Sequence, residues 1–383
     1  MKIAVLDITG RNASQYNPSL CKALSDNLPD DTVILMSPTC YIEPHGFKYK
    51  QLLRLVPQSM TSNVGIAKRA LRALESFINY FIVISYIIIR KIDILHIQWL
   101  VFIDYSVLEN HFLSFLKKMR PGLKIFLTVH NIFPHDLTAE DRRVYQDRFN
   151  GMTKLFDGFI VHLESSKKEL ISSFEIEKEK VFVAYHGIYV GDRKANSRVY
   201  DDASAKITKI ILFGSQTRYK GADLLIDALY LLPKDYLKKI SVSIIGTTAK
   251  DLYEEYKDKI EEVNVKWINR FVSDEELYEA IDASDLILLP YRKISQSGAL
   301  LLAMSYKKPI LTSNLPSFKE TLEGYPDNYF FEANSAQSLA KILIKYLDGE
   351  INKLILKEII EVLNNKYSWD QTAKATIRAY GIR

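Results

Sequence analysis

The sequence predicts an α/β architecture with two successive, doubly wound, Rossmann-like parallel-sheet domains. Three observations carry this. Short apolar runs alternate with longer segments of helical period along most of the chain. The alternation is interrupted once, by a polar stretch over 191–207. The length of 383 residues exceeds what one hydrophobic core usually serves.

In the first half, strands are expected over 3–7, 32–36, 93–98, 124–128, 158–162 and 181–184. These runs are almost continuously apolar, as strands covered on both faces are. Helices are expected over 18–28, 105–119 and 165–173; in the first, Leu20, Ala23 and Leu24 share a face. The stretch 191–207, with Asp192, Arg193, Lys194, Asn196, Asp201 and Asp202, reads as a linker. The alternation then resumes. Strands are expected over 209–213, 241–245, 265–267, 286–290 and 309–312, and helices over 222–232, 252–263, 274–283 and 298–306. The expected division is a first domain over 1–190, the linker, a second domain over 208–366 and a final segment over 367–383.

The two cysteines, Cys21 and Cys40, make no disulfide framework, which points to a reducing, cytoplasmic setting. The apolar run after Lys2 is too short for the core of a signal peptide. The most apolar stretch, 76–89, is shorter than the ~20 residues a bilayer requires, so no transmembrane segment is expected. The net charge of +5 is unevenly spread. Between His45 and Lys91 stand Lys48, Lys50, Arg54, Lys68, Arg69, Arg72, Arg90 and Lys91 against Glu75 alone. Beside Phe77, Tyr80, Phe81 and Tyr86, this composition suits peripheral contact with the inner face of an anionic membrane as well as it suits a solvated helix face. Nucleic acid is not expected as a partner.

In parallel sheets, ligands bind beyond the carboxyl ends of the strands. In the second half those ends carry Phe213-Gly214-Ser215-Gln216-Thr217-Arg218-Tyr219-Lys220-Gly221, then Arg270-Phe271-Val272, then Ser295-Gln296-Ser297-Gly298. Glycines that let backbone N–H groups approach, helix N-termini and cationic side chains are what a diphosphate requires. In the first half the ends carry Thr9-Gly10-Arg11, Trp99, Asp104 and His130-Asn131. His130 can hydrogen-bond a sugar when neutral or stabilise a leaving phosphate when protonated. Trp99 can stack on a sugar face or pack in the core, and Asp104 can orient or deprotonate a hydroxyl. His135 and Asp136 do not share a helix face with His130 in a way that makes a metal site.

These segments resemble the GT-B glycosyltransferases of family 4, the glycosyl transferases group 1. Arg218, Lys220, Gly221, Leu224 and Leu225 match the family's Arg, Lys-Gly and Leu-rich helix. The resemblance implies two Rossmann-like domains facing a cleft, with a final helix from Ser368-Trp369-Asp370 crossing back to the first domain. It implies transfer of a hexose from a nucleotide-diphosphate sugar, GDP- or UDP-linked, to a glycan or polyprenyl-linked acceptor, with retention of configuration. It further implies that Arg218 and Lys220 neutralise the leaving diphosphate. Residues 270–272 would meet the nucleobase, and His130 would lie near the donor sugar. Gly10, Gly214, Gly221, Ser295, Gln296, Ser297 and Gly298 complete the expected donor contacts. No metal and no cofactor are expected, and no Asp-X-Asp triplet occurs. The chain departs from the family in one respect: Ile294 and Leu302 stand where two glutamates, which bind donor sugar and ribose, are usual. That departure keeps open a non-catalytic nucleotide-sugar-binding subunit. A nucleotide-sugar epimerase of the same shape would need cleft carboxylates. A dehydrogenase would need a Gly-X-Gly-X-X-Gly turn after the first strand, which is absent.

Overall fold

The computed structural model describes residues 1–10, 15–41, 43–55, 66–134, 137–189 and 207–382. The linker over 191–207 lies, but for Ile207, outside them, as do Arg11, His135 and Asp136. The chain forms two compact units, Met1–Gly187 with Tyr367–Arg383, and Ile188–Lys366.

Unit 1 runs β1 (Lys2–Leu6), α1 (Tyr16–Asn27), β2 (Thr32–Ser37), β3 (Lys48–Gln51), α2 (Ile66–Arg90), β4 (Ile94–Ile97), α3 (Leu108–Met119), β5 (Lys124–Thr128), α4 (Ala139–Asn150), β6 (Gly158–Val161), α5 (Glu164–Ser173) and β7 (Val181–Val183). Its seven strands lie in the order β3-β2-β1-β4-β5-β6-β7, all parallel. Successive side chains of a strand point to opposite faces. Accordingly Ala4 and Leu6 join one core with Tyr80, Ile87, Phe112 and Phe149, while Ile3 and Val5 join another with Leu20, Leu24 and Tyr380. Both faces are therefore covered, and α2, α3 and α4 share one of them.

Two elements escape the sequence pattern for opposite reasons. The edge strand β3, Lys-Tyr-Lys-Gln, has no apolar alternation; its exposed lysine marks an edge that discourages further pairing. Helix α4 is almost wholly polar and buries only Phe149; Thr138 caps it by accepting from the Asp141 N–H. Helix α2 corrects the expectation of a short apolar stretch. It has 25 residues, and Ala70–Arg90 is long and apolar enough to cross a membrane by length and composition. One third of that segment is nevertheless buried inside the unit, with Tyr80, Val83 and Ile87 in the core. It is thus an amphipathic cover of the sheet, with Leu74, Phe77 and Phe81 left exposed along its other side.

Unit 2 runs β8 (Thr208–Phe213), α6 (Ala222–Tyr230), α7 (Lys234–Leu237), β9 (Ile240–Ile245), α8 (Lys250–Tyr256), β10 (Val265–Ile268), α9 (Asp274–Ala283), β11 (Leu286–Leu289), α10 (Gly298–Ser305), β12 (Ile310–Thr312), α11 (Pro316–Thr321), α12 (Ala336–Leu347) and α13 (Lys353–Lys366). Its five parallel strands lie in the order β10-β9-β8-β11-β12. The last helix, α14 (Trp369–Tyr380), belongs to unit 1. It packs on α1, and Ala373, Ala379 and Tyr380 enter the core beneath it. Ser368 caps it by accepting from the Gln371 N–H, and Thr372 Oγ1 donates to the Tyr185 carbonyl at 2.6 Å.

Candidate functional site

In unit 1 the chemistry collects where β1, β4, β5, β6 and β7 end. The first turn is held by Asp7, a fully buried carboxylate. Asp7 Oδ1 accepts from Thr9 Oγ1 at 2.6 Å and from the Gly10 N–H at 2.9 Å, and Oδ2 accepts from Asn17 Nδ2 at 2.8 Å. Gly10 adopts φ +66°, which a side chain would strain. Asp7 looked like a plain strand end; its role appears only once the turn folds over it.

Next to this turn lies a cluster of imidazoles. In the register of β5 against β6, Thr128 is opposite Ile160, so the residues two positions on, His130 and His162, are neighbours. Nε2 of His162 lies 3.3 Å from Nδ1 of His130, Nδ1 of His162 is 2.9 Å from the Ala184 carbonyl, and Nε2 of His130 is 3.1 Å from the Gln98 carboxamide. Tyr16 of α1 packs edge-on against His130, His162, His186 and Trp369, with centroids 4.7–5.5 Å apart. Trp99 stacks on His130 at 4.8 Å and 17°. Trp99 thus gives one face to the histidine. Burial lowers His162 to about 4 and His186 to about 3, and it holds His130 well below its ordinary value with help from the neighbouring imidazoles. Of the two states open for His130, the neutral ring is the one this environment favours.

Beside His130 opens a cavity of about 210 Å³, lined among others by Trp99, Asp104, His130, Asn131 and Tyr145. Trp99 and Asp104, which follow β4, and His130, which follows β5, therefore line one space. Asp104 is exposed, and its carbonyl accepts from Arg148. The loop that carries it is anchored by Glu109, a buried carboxylate that the sequence reading missed. Glu109 accepts from Tyr80 Oη at 2.5 Å and from the backbone N–H groups of Val101 and Phe102. Burial raises it to about 7, although those hydrogen bonds oppose the rise.

In unit 2 the loops after β8 and β11 belong to adjacent strands. The turn Arg218–Lys220 closes on Gly221 at φ +76°, where a Cβ would lie 2.0 Å from the Pro290 carbonyl oxygen. Only glycine fits there, so the turn and the β11 end sit backbone to backbone. Arg292 locks them. Its guanidinium grips Asp223 with two bonds of 2.8 and 2.9 Å, and its N–H donates to the Tyr219 carbonyl at 2.7 Å. Lys220 turns inward. Its Nζ would be 3.0 Å from a Cβ placed on Gly214, and it stands 5.5 Å from the Tyr291 ring centroid. Burial alone lowers this ammonium to about 8. Ser297 caps α10 by accepting from the Leu300 N–H at 3.1 Å, and Gly298 is exposed at that helix end, with Ser295 and Gln296 half-buried before it.

Two expected donor contacts are differently engaged. Arg218 turns outward and pairs with Glu255 at 2.6 Å and Asp251 at 3.4 Å. Arg270 forks onto Glu276 of α9 at 2.5 and 2.9 Å. The loop of Arg270, Phe271 and Val272 follows β10, separated from β8 by β9. There Phe271 is 81% exposed, and it is the group that loop offers.

Residues 201–361 match the family described as glycosyl transferases group 1. An uncharacterized glycosyltransferase of Methanocaldococcus jannaschii is 25% identical over 236 residues, 57% of this chain and 58% of that protein. A GDP-mannose:glycolipid 4-beta-D-mannosyltransferase of Xanthomonas campestris pv. campestris is 19% identical over 58% of this chain and 62% of its own length. The chain thus spans about three fifths of the curated relatives it matches. Among solved structures, Anabaena HepE in complex with UDP superposes with a TM-score of 0.68 at 14% identity over 100% of both chains. The glycine-hinged basic loop of β8 and the two parallel sheets agree with these likenesses: residues 201–361 match the group 1 glycosyl transferases, and the chain as a whole has the GT-B fold.

Proposed function

We propose that this protein is a metal-independent glycosyltransferase that moves a hexose from a nucleoside-diphosphate sugar held by unit 2 to a glycan or lipid-linked acceptor held by unit 1. One observation carries the donor assignment: Lys220, a desolvated ammonium beside the glycine backbone of Gly214, on the turn that opens α6. An anion there regains for Lys220 the charge partner that burial withholds. Ser297 and Gly298 at the α10 N-terminus add N–H donors, and Arg218 joins by leaving Glu255. These charges stand in for a divalent cation. Phe271 offers a face on which a nucleobase can stack. The UDP bound to HepE and the GDP-mannose of the Xanthomonas enzyme name the two donor classes to try first.

The acceptor is proposed to enter the cavity beside His130, with Asp104 orienting its hydroxyl and neutral His130 hydrogen-bonding the sugar. The resemblance to family 4 supports retention of configuration. The Xanthomonas relative acts on a glycolipid. A lipid-linked acceptor here gains support from α2, whose exposed Leu74, Phe77 and Phe81 adjoin α3 through Phe112, with Arg90 and Lys91 exposed at the helix end. We propose that this face rests on an anionic bilayer surface, on the cytoplasmic side.

A thermal-shift panel of UDP, GDP, ADP and CMP without metal tests the donor site. At ~100 times its dissociation constant a ligand adds about 2.7 kcal/mol. One nucleoside diphosphate is expected to shift the wild type and to lose about half or more of its effect in Lys220→Met; no shift with any of them overturns the assignment. Sedimentation with phosphatidylglycerol vesicles, against phosphatidylcholine, tests the surface. Binding should require the anionic lipid and fall in Phe77→Ser/Phe81→Ser.

A further inference from the structure

The cluster at the β5–β7 ends holds more information than the presence of His130. We infer that His162 is a positioning residue that decides which ring nitrogen of His130 carries the proton, leaving the lone pair on Nε2. The inference rests on the proposed role of His130 at the sugar.

A carbonyl oxygen only accepts, so His162 Nδ1, 2.9 Å from the Ala184 carbonyl, must bear a hydrogen. A neutral imidazole has one such hydrogen, so His162 Nε2 is bare and accepts. The group facing it at 3.3 Å is His130 Nδ1, which must therefore donate. His130 then has its only hydrogen on Nδ1, and its Nε2 is an acceptor. The atom 3.1 Å from Nε2 is the Gln98 carboxamide oxygen, and turning the amide about its axis puts the –NH₂ there instead. Gln98 satisfies a lone pair only with its –NH₂ turned toward the ring. The opposite orientation sets oxygen against lone pair and leaves the buried Gln98 Nε2 without a partner among the described residues. Turning the amide satisfies the His130 lone pair and leaves the unpartnered place to an acceptor oxygen rather than to a donor.

The consequence is chemical. His130 and Gln98 both line the cavity. In this tautomer a sugar hydroxyl that displaces the Gln98 –NH₂ donates to His130 Nε2; in the opposite tautomer His130 would donate to the sugar. Burial of His162 and Trp99 stacking on His130 keep the rings from turning.

The test is the ¹⁵N–¹H correlation pattern of the histidine side chains in full-length protein at neutral pH, which distinguishes the tautomers directly. His130→Ala identifies the His130 signals. Wild type should show both His130 and His162 protonated on Nδ1. His162→Leu removes the acceptor and should move the His130 proton to Nε2. Turnover with the nucleotide sugar selected by the diphosphate panel should then fall about 100-fold at unchanged donor KM. His162→Gln places an acceptor where Nε2 stood, and should retain the Nδ1–H form and most of the turnover. Wild-type His130 protonated on Nε2 overturns the inference, as does His162→Leu with unchanged tautomer and turnover. If His162→Leu does not fold, the wild-type pattern and His162→Gln decide. Unimpaired turnover in His130→Ala, with the tautomers as stated, instead overturns the reading of His130 at the sugar.

Discussion

At the strand ends of unit 1 the imidazoles of His130, His162 and His186 are packed ring against ring and held neutral. At the strand ends of unit 2, Lys220 keeps a charge that burial opposes, on a turn hinged at Gly221 and braced by the Arg292–Asp223 pair. The imidazole cluster offers directional hydrogen bonds without net charge, which suits a polyol. The second region offers positive charge and close backbone approach, which suits a diphosphate. Each is reached by a different use of burial. Buried rings make a neutral imidazole the stable form, whereas a half-buried, partly desolvated ammonium becomes a place where an anion is rewarded.

The contrast can be broken by substitution. His130→Ala should lower turnover by about 10²–10⁴ while leaving nucleoside diphosphate affinity unchanged, since it touches only the uncharged region. Lys220→Met should do the reverse at the level of binding, weakening the diphosphate about 10- to 100-fold by loss of a charged hydrogen-bond partner, as titration calorimetry reads it.

The pH dependence sharpens it. Lys220 binds an anion in its protonated form, and its pKa in the free protein is about 8. Diphosphate affinity should therefore fall as pH rises through about 8, approaching tenfold per pH unit, and should be flat there in Lys220→Met. The smallest effect concerns Glu109, whose native pKa is about 7 against an ordinary 4.5. The native state binds the extra proton between these values, so this group's stabilising share is full below about 4.5 and is lost as pH rises through about 7. Glu109→Gln should remove that loss: the melting temperature of the variant relative to wild type should climb between pH 5 and 8, with the carboxamide oxygen keeping the Val101 and Tyr80 hydrogen bonds and the one from the Phe102 N–H lost at every pH.

Much of this was legible beforehand. The strands of both sheets lie within a residue or two of their expected places, because an apolar run covered on both faces is a local signal. The Gly214–Gly221 turn was legible for the same reason, since glycine, cation and helix start are contiguous. Helix α4 and strand β3 were not, because tertiary contacts rather than their own pattern hold them. The bounds of α2 were missed because a 14-residue apolar core understated a 25-residue amphipathic helix.

By itself, then, the sequence determined the two-sheet architecture, the strand ends at which chemistry gathers, and the likeness of residues 201–361 to the group 1 glycosyl transferases. Only the tertiary structure decided that Lys220 turns inward, that Arg218 pairs instead with Glu255, and that Glu109 anchors the loop bearing Asp104. It alone placed His162 against His130, 32 residues away along the chain. The physical reason is common to all four. Hydrophobic period and turn chemistry act between neighbours in the chain, whereas the state of a buried polar group is set by strand register and by whichever side chains the packing brings within hydrogen-bond reach.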